Sequence, residues 1–245
     1  MRGRVACAQS SGGRGAEAPR KRVEVQSVFD PMCPWCMYGL VRLRSFMATR
    51  DDVTLRTVPY VFDPDTPSPP LKWTDYVLLR YPERSASIFQ HKLPLTKQVA
   101  ASLGIQLCKY EDRPISATVD ALRLFHALRS LPEDARSAGE LSLADALLRA
   151  AFTGGLDLGD HTVLLDCAQE AGLTASQTEQ ALLSPESTAW VESETRRAKV
   201  DLGVNSVPSY VLTDRWTGTE LRLAGSDLDW SAAVGRLLST APATA

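Results

Sequence analysis

Two of the five cysteines, Cys33 and Cys36, stand three residues apart where a strand pattern gives way to a helix pattern. Five cysteines scattered at random over 245 positions would seldom produce such a pair. Before it, Val23-Glu24-Val25-Gln26-Ser27-Val28-Phe29 alternates and then turns wholly apolar, as a strand does on entering a covered sheet. Asp30-Pro31-Met32 breaks the strand. From Pro34 the apolar positions Leu40, Leu43 and Met47 recur at three- and four-residue steps, which predicts an amphipathic helix with Pro34 in its first turn, where a missing N–H costs nothing. The pair therefore lies at the positive end of a helix, where free N–H groups and the macrodipole favour a thiolate, moving its pKa from about 8.5 toward roughly 3.5 to 7.5. Asp30 is close enough for its charge to oppose that shift. Cys33 directly precedes Pro34 and is the exposed nucleophile that forms mixed disulfides; Cys36, one turn in and more covered, resolves them.

Zinc binding is the competing reading, and it needs four ligands. Neither Cys108 nor Cys167 has a second cysteine or a histidine at ligand spacing, so no metal is expected. A pair of chance buried cysteines fits poorly with a Cys-Pro-x-Cys run between a strand and a helix.

Farther along, Val53 to Val58 alternates as a second strand, and Pro59, Pro64, Pro67, Pro69 and Pro70 then rule out regular structure for most of a dozen residues. From Leu71 to Leu202 the chain reads as helices with few strand signals. Core-facing stripes mark Thr118 to Leu131 and Leu141 to Phe152, His161 to Ala171 stops at Gly172, and Ser184-Pro185-Glu186 opens a helix running to Gly203. Ser209 to Thr213, a turn over Asp214 to Gly218, and Glu220 to Leu223 predict a hairpin, and Asp227 to Leu238 a closing helix. The order predicts an α/β, thioredoxin-like fold (βαβ…ββα) with a large all-helical insertion. Residues 23–70 and 185–240 form the thioredoxin-like part and 71–184 the insertion.

Charge narrows the partners. Residues 1–22 carry six basic side chains against Glu17, whereas the rest of the chain holds 21 basic and 28 acidic groups. The acidic balance of the folded part argues against a nucleic-acid surface. Rich in Arg, Ser and Gly, the first 22 residues read as a disordered basic tail, with an organelle transit peptide the alternative. No apolar run approaches the roughly 18 to 20 residues of a membrane span, so a soluble protein is expected. Sparse, odd-numbered cysteines place it in a reducing compartment, the cytoplasm.

The run Phe29-Asp30-Pro31-Met32-Cys33-Pro34-Trp35-Cys36 followed by Tyr38-Gly39 resembles the Cys-Pro-Trp-Cys site of the DsbA-like thioredoxin-fold oxidoreductases, FrnE-like branch. Val204-Asn205-Ser206-Val207-Pro208-Ser209-Tyr210-Val211 is similar to that branch's second signature, a loop with a cis proline opposite the dithiol. The resemblance covers about Val23 to Leu238. It implies thiol-disulfide exchange at Cys33 and Cys36, and substrate contacts at Pro34, Trp35, Val207 and Pro208. It also implies a protein thiol or disulfide, or glutathione, as partner, with no resident cofactor. The same fold has glutathione-linked relatives, the 2-hydroxychromene-2-carboxylate isomerases and kappa-class transferases, which use a single Ser or Cys; a non-catalytic binding module is a third reading. His91 and His126 read as surface or packing groups, Cys108 and Cys167 as inert core thiols in helical surroundings, and Trp35 as either packing or a shield for the dithiol.

Overall fold

The computed structural model describes residues 21–239. A four-stranded sheet, with strands in the spatial order Val53–Pro59, Val23–Phe29, Ser209–Asp214 and Glu220–Ala224, forms its centre. The central strand, β1 (Val23–Phe29), is parallel to β2 (Val53–Pro59), with Val23 opposite Val53, and antiparallel to β5 (Ser209–Asp214), with Val23 opposite Asp214. β6 (Glu220–Ala224) closes the hairpin with β5 and lies at the far edge. Helix α1 (Pro34–Met47) makes the parallel crossover from β1 to β2 and buries Leu40, Leu43 and Phe46. The final helix, α10 (Trp230–Ser239), begins three residues later than its apolar spacing suggests, because Asp229 accepts the Ala232 N–H at its start.

Between β2 and β5 lie α2 (Trp73–Arg80), a single turn α3 (Ser85–Ser87), a π-helical turn at Ile88–Lys92 and α4 (Leu93–Ser102). Then follow α5 (Val119–Leu128), α6 (Glu133–Arg149), a π turn at Ala150–Gly154, α7 (His161–Glu170), α8 (Ala175–Leu183) and α9 (Pro185–Val200). Two features of this region's elements also depart from the sequence reading. Short strands β3 (Leu71–Lys72) and β4 (Pro114–Ile115) pair antiparallel, a ladder too short to leave a periodic signal. Helix α6 starts eight residues before Leu141, and its first turns bury Ser137, Gly139 and Glu140 rather than apolar side chains. Those groups face the outer edge of β2: Ser137 Oγ accepts the Leu55 N–H at 2.8 Å, and the Glu140 carboxylate accepts the Thr57 N–H.

Of the predicted basic tail, residues 1–20 lie outside the described residues. Arg22 belongs to the folded part: it forks onto Asp214 at 3.1 and 2.8 Å and stacks 4.4 Å from the Trp216 ring centroid. Among the described residues no helix is long and apolar enough to cross a membrane.

Candidate functional site

The end of β1 and the start of α1 are joined by a tight turn held by a buried carboxylate. Asp30 is fully buried and accepts the Met32 N–H at 2.7 Å, the Phe62 N–H at 2.8 Å and the Thr118 hydroxyl at 3.2 Å. Burial nevertheless dominates, and pushes its carboxyl up to about 6. The three donors tie the turn to the loop after β2 and to the start of α5, so the entrance to α1 is fixed from both halves of the fold.

Cys33 is the N-cap residue of α1, with Pro34 in the first turn and no side-chain cap of its own. Its half-buried thiol donates to the Val207 carbonyl at 3.4 Å. Cys36, one turn on, is 2% exposed. Desolvation raises its pKa well above the usual thiol value, aided by a hydrogen bond to the Cys33 sulfur and by the charges of Cys33 and Asp30.

The Val207-Pro208 peptide bond is cis. Pro208 and Tyr210 pack against Gly39 of α1: a Cβ at Gly39 would come within 2.2 Å of the Tyr210 hydroxyl and 3.3 Å of Pro208 Cγ. Only a residue without a side chain lets this loop approach the dithiol helix so closely. Tyr38, the neighbour of Gly39, donates to the Thr96 carbonyl of α4 at 2.7 Å and meets the Trp35 ring edge-on at 5.5 Å, so α1 and Trp35 are braced against the helical half.

Cys33, Pro34, Trp35 and Val207 border one cavity of about 380 Å³, whose opposite wall comes from α2, α4 and the β4 region. Asp63, in the loop after β2, holds that wall by accepting the Tyr76 hydroxyl at 2.6 Å and both Arg80 donors at 3.0 Å. Sequence reasoning missed Asp63, Tyr76 and Arg113 on this wall. Arg113 follows Glu111 and Asp112, Asp63 is two residues from Asp65 and Tyr76 follows Asp75, so no local motif sets any of them apart.

The other cysteines among the described residues are Cys108 and Cys167. Cys167 is buried in α7 and pushed up to about 11. Cys108 is half-buried and raised by desolvation, but it lies in an irregular segment rather than a helix, its N–H bonded to the Phe152 carbonyl at 2.8 Å. The expected helical surroundings fail there because Gly104 ends α4 with a positive φ of 69°. His126 packs against the Trp190 ring at 5.4 Å, and His91 sits in the π turn before α4. Among the described residues no cluster of three or more His, Cys, Asp or Glu is placed to hold a metal ion.

The model of one protein family, the DSBA-like thioredoxin domain, matches residues 24–227. Several solved structures share the fold. One described as a probable DsbA oxidoreductase from Streptomyces coelicolor is 24% identical, with a TM-score of 0.73 over 91% of this chain and 93% of that one. The cytosolic disulfide reductase DsbM from Pseudomonas aeruginosa, solved with GSH, is 18% identical, with a TM-score of 0.59 over 89% and 100% of the two chains. A 2-hydroxychromene-2-carboxylate isomerase is 18% identical, with a TM-score of 0.60 over 88% and 96%. No curated protein is a significant match.

Proposed function

The chain belongs to the DSBA-like thioredoxin-domain family, and from that premise we propose that it is a thiol-disulfide oxidoreductase with Cys33 as nucleophile and Cys36 as resolving cysteine. The observation that carries this reading is the unequal setting of two thiols one helical turn apart. Cys33 is half-buried at the border of a cavity, while Cys36 lies beneath it, 2% exposed and held protonated. In the reducing direction the Cys33 thiolate attacks one sulfur of a substrate disulfide, forming a mixed disulfide and expelling the other sulfur as a thiolate, which takes up a proton. Cys36 then gives up its proton and attacks the Cys33 sulfur. The products are a Cys33–Cys36 disulfide and the second substrate thiol, and the oxidising direction reverses these steps.

Val207 links this chemistry to binding. Its carbonyl accepts the Cys33 thiol proton at 3.4 Å in the reduced protein. Once Cys33 is in a mixed disulfide that proton is gone, and the carbonyl is free to accept a substrate donor beside the reacting sulfur. Pro34, Trp35 and Pro208 complete the contact surface. The Pseudomonas protein named as a cytosolic disulfide reductase, with its GSH-bound form, supports glutathione as a redox partner and the cytoplasm as location. A single-nucleophile isomerase would leave the buried Cys36 without a task.

The test is trapping. Cys36→Ser should accumulate mixed disulfides at Cys33, seen as mass adducts with glutathione, and Cys33→Ser should abolish exchange. Full dithiol turnover by Cys36→Ser would refute the assignment of roles.

A further inference from the structure

The cavity beside the dithiol contains a cation without an anion. Two nearby arginines are paired, Arg80 with Asp63 at 3.0 Å and Arg123 with Asp120 at 2.7 Å. Arg113, 4% exposed, has no carboxylate partner among the described residues. Its guanidinium lies over the rings of Tyr110 and Phe152, 4.9 and 4.5 Å from their centroids. Besides a hydrogen bond between the guanidinium and the Tyr110 hydroxyl, Nη2 reaches the Met32 carbonyl only at 3.5 Å, and Nε has no hydrogen-bond partner. A buried charge left this way is costly unless something completes it. The same residue lines the cavity that Cys33 borders.

A guanidinium receives a carboxylate through its N–H donors. The rest of the wall is largely apolar and aromatic, with Trp73, Tyr76, Tyr81 and Ile88 prominent, and also carries the cations Arg84 and Lys92. At about 380 Å³ the space falls within the small-ligand range of roughly 300 to 1,000 Å³. We propose that this cavity takes a small, largely apolar disulfide that carries a carboxylate, with Arg113 receiving the carboxylate and the reacting sulfur lying at Cys33. This rests on the dithiol-exchange reading and adds the substrate class. In one turnover the reduced dithiol gives two electrons to the ligand's S–S bond, yielding two ligand thiols and the Cys33–Cys36 disulfide. A second turnover requires a thiol reductant such as glutathione.

The experiment uses the reduced full-length protein and two aromatic disulfides, the carboxylated dithiobis(nitrobenzoate) and the neutral dithiodipyridine. Rate constants for both are divided by those of free glutathione at the same pH, and the ratio of carboxylated to neutral probe is compared between proteins. The native ratio should exceed that of glutathione, Arg113→Gln should lower it by about tenfold or more, and Arg113→Lys by less. A second arm needs only the native protein. Phenylbutanoate should slow the reaction with dithiodipyridine saturably, whereas phenylbutanamide at equal concentration should not. A ratio in Arg113→Gln within about twofold of the native one, or equal protection by acid and amide, would overturn the proposal. If Arg113→Gln does not fold, the protection arm decides. Failure of the native protein to react with either probe at Cys33 would instead remove the dithiol reading beneath it.

Discussion

The two edges of the sheet are finished in opposite ways. Strand β6 alternates between exposed and half-buried residues, with Glu220, Arg222 and Ala224 facing solvent. Charged side chains on an open edge discourage pairing with another chain. Strand β2 is buried at every position but Arg56, and helices cover its edge. Ser137 and Glu140 of α6 take the Leu55 and Thr57 N–H groups, Thr195 of α9 takes the Val61 N–H at 3.2 Å, and Glu194 of α9 pairs with Arg56 at 3.3 Å. The start of α6, in the insertion, is thus held to β2 by side chains that complete its backbone ladder, while α9, beyond the insertion, grips Arg56 and the Val61 N–H just after the strand. That attachment, with the Tyr38 to Thr96 bond and the three donors on Asp30, fixes the helical wall across the cavity from the dithiol.

The comparison can be broken at β2 first. Glu140 is 3% exposed, and its burial pushes the carboxyl up to about 7 from an ordinary 4.5. The native state therefore holds this proton longer than the unfolded chain. Its contribution to stability is fully present below about pH 4.5 and is lost as pH rises through 7. Asp30, raised to about 6, adds a similar decline over a lower range. Glu140→Gln should flatten the fall in urea-unfolding stability between pH 4.5 and 8 by on the order of 2 to 3 kcal/mol, leaving the Asp30 part. An unchanged slope would mean that the carboxyl is not burdened by burial.

Ser137→Ala, which leaves the buried Leu55 N–H without its acceptor, should cost about 1 to 2 kcal/mol with little change in m-value. On the open edge, Arg222→Ala removes only an exposed contact with Glu220 at 3.7 Å and one with the Leu202 carbonyl at 3.2 Å. It should stay within about 0.5 kcal/mol of the parent in the same assay. Equal costs at the two edges would remove the distinction.

The same contrast explains what could be read from the residues. The dithiol turn, the hairpin and the frame of α1 were legible because their signals are local: a Cys-Pro-x-Cys run, alternation, proline and glycine punctuation. The start of α6 was not, because Ser137, Gly139 and Glu140 occupy positions where an amphipathic helix ordinarily shows apolar side chains. They are buried for the sake of β2, which lies about 80 residues earlier in the chain, as in the Leu55 to Ser137 bond. Arg113 and Asp63 were invisible for a related reason. Each acquires its meaning from partners that only the folded chain brings near. Cys33 and Cys36 carry their meaning in their spacing.

That spacing is open to one direct measurement. The native protein is equilibrated in glutathione buffers spanning about -270 to -120 mV, the range of thioredoxin to DsbA, then quenched by alkylation and mapped by mass spectrometry. A single two-electron transition confined to the peptide holding Cys33 and Cys36 is predicted, with Cys108 and Cys167 alkylated to the same extent throughout. Cys33 and Cys36 that stay separately alkylated at every potential after full equilibration with oxidised glutathione, or a transition that consumes Cys108 or Cys167, would contradict the account.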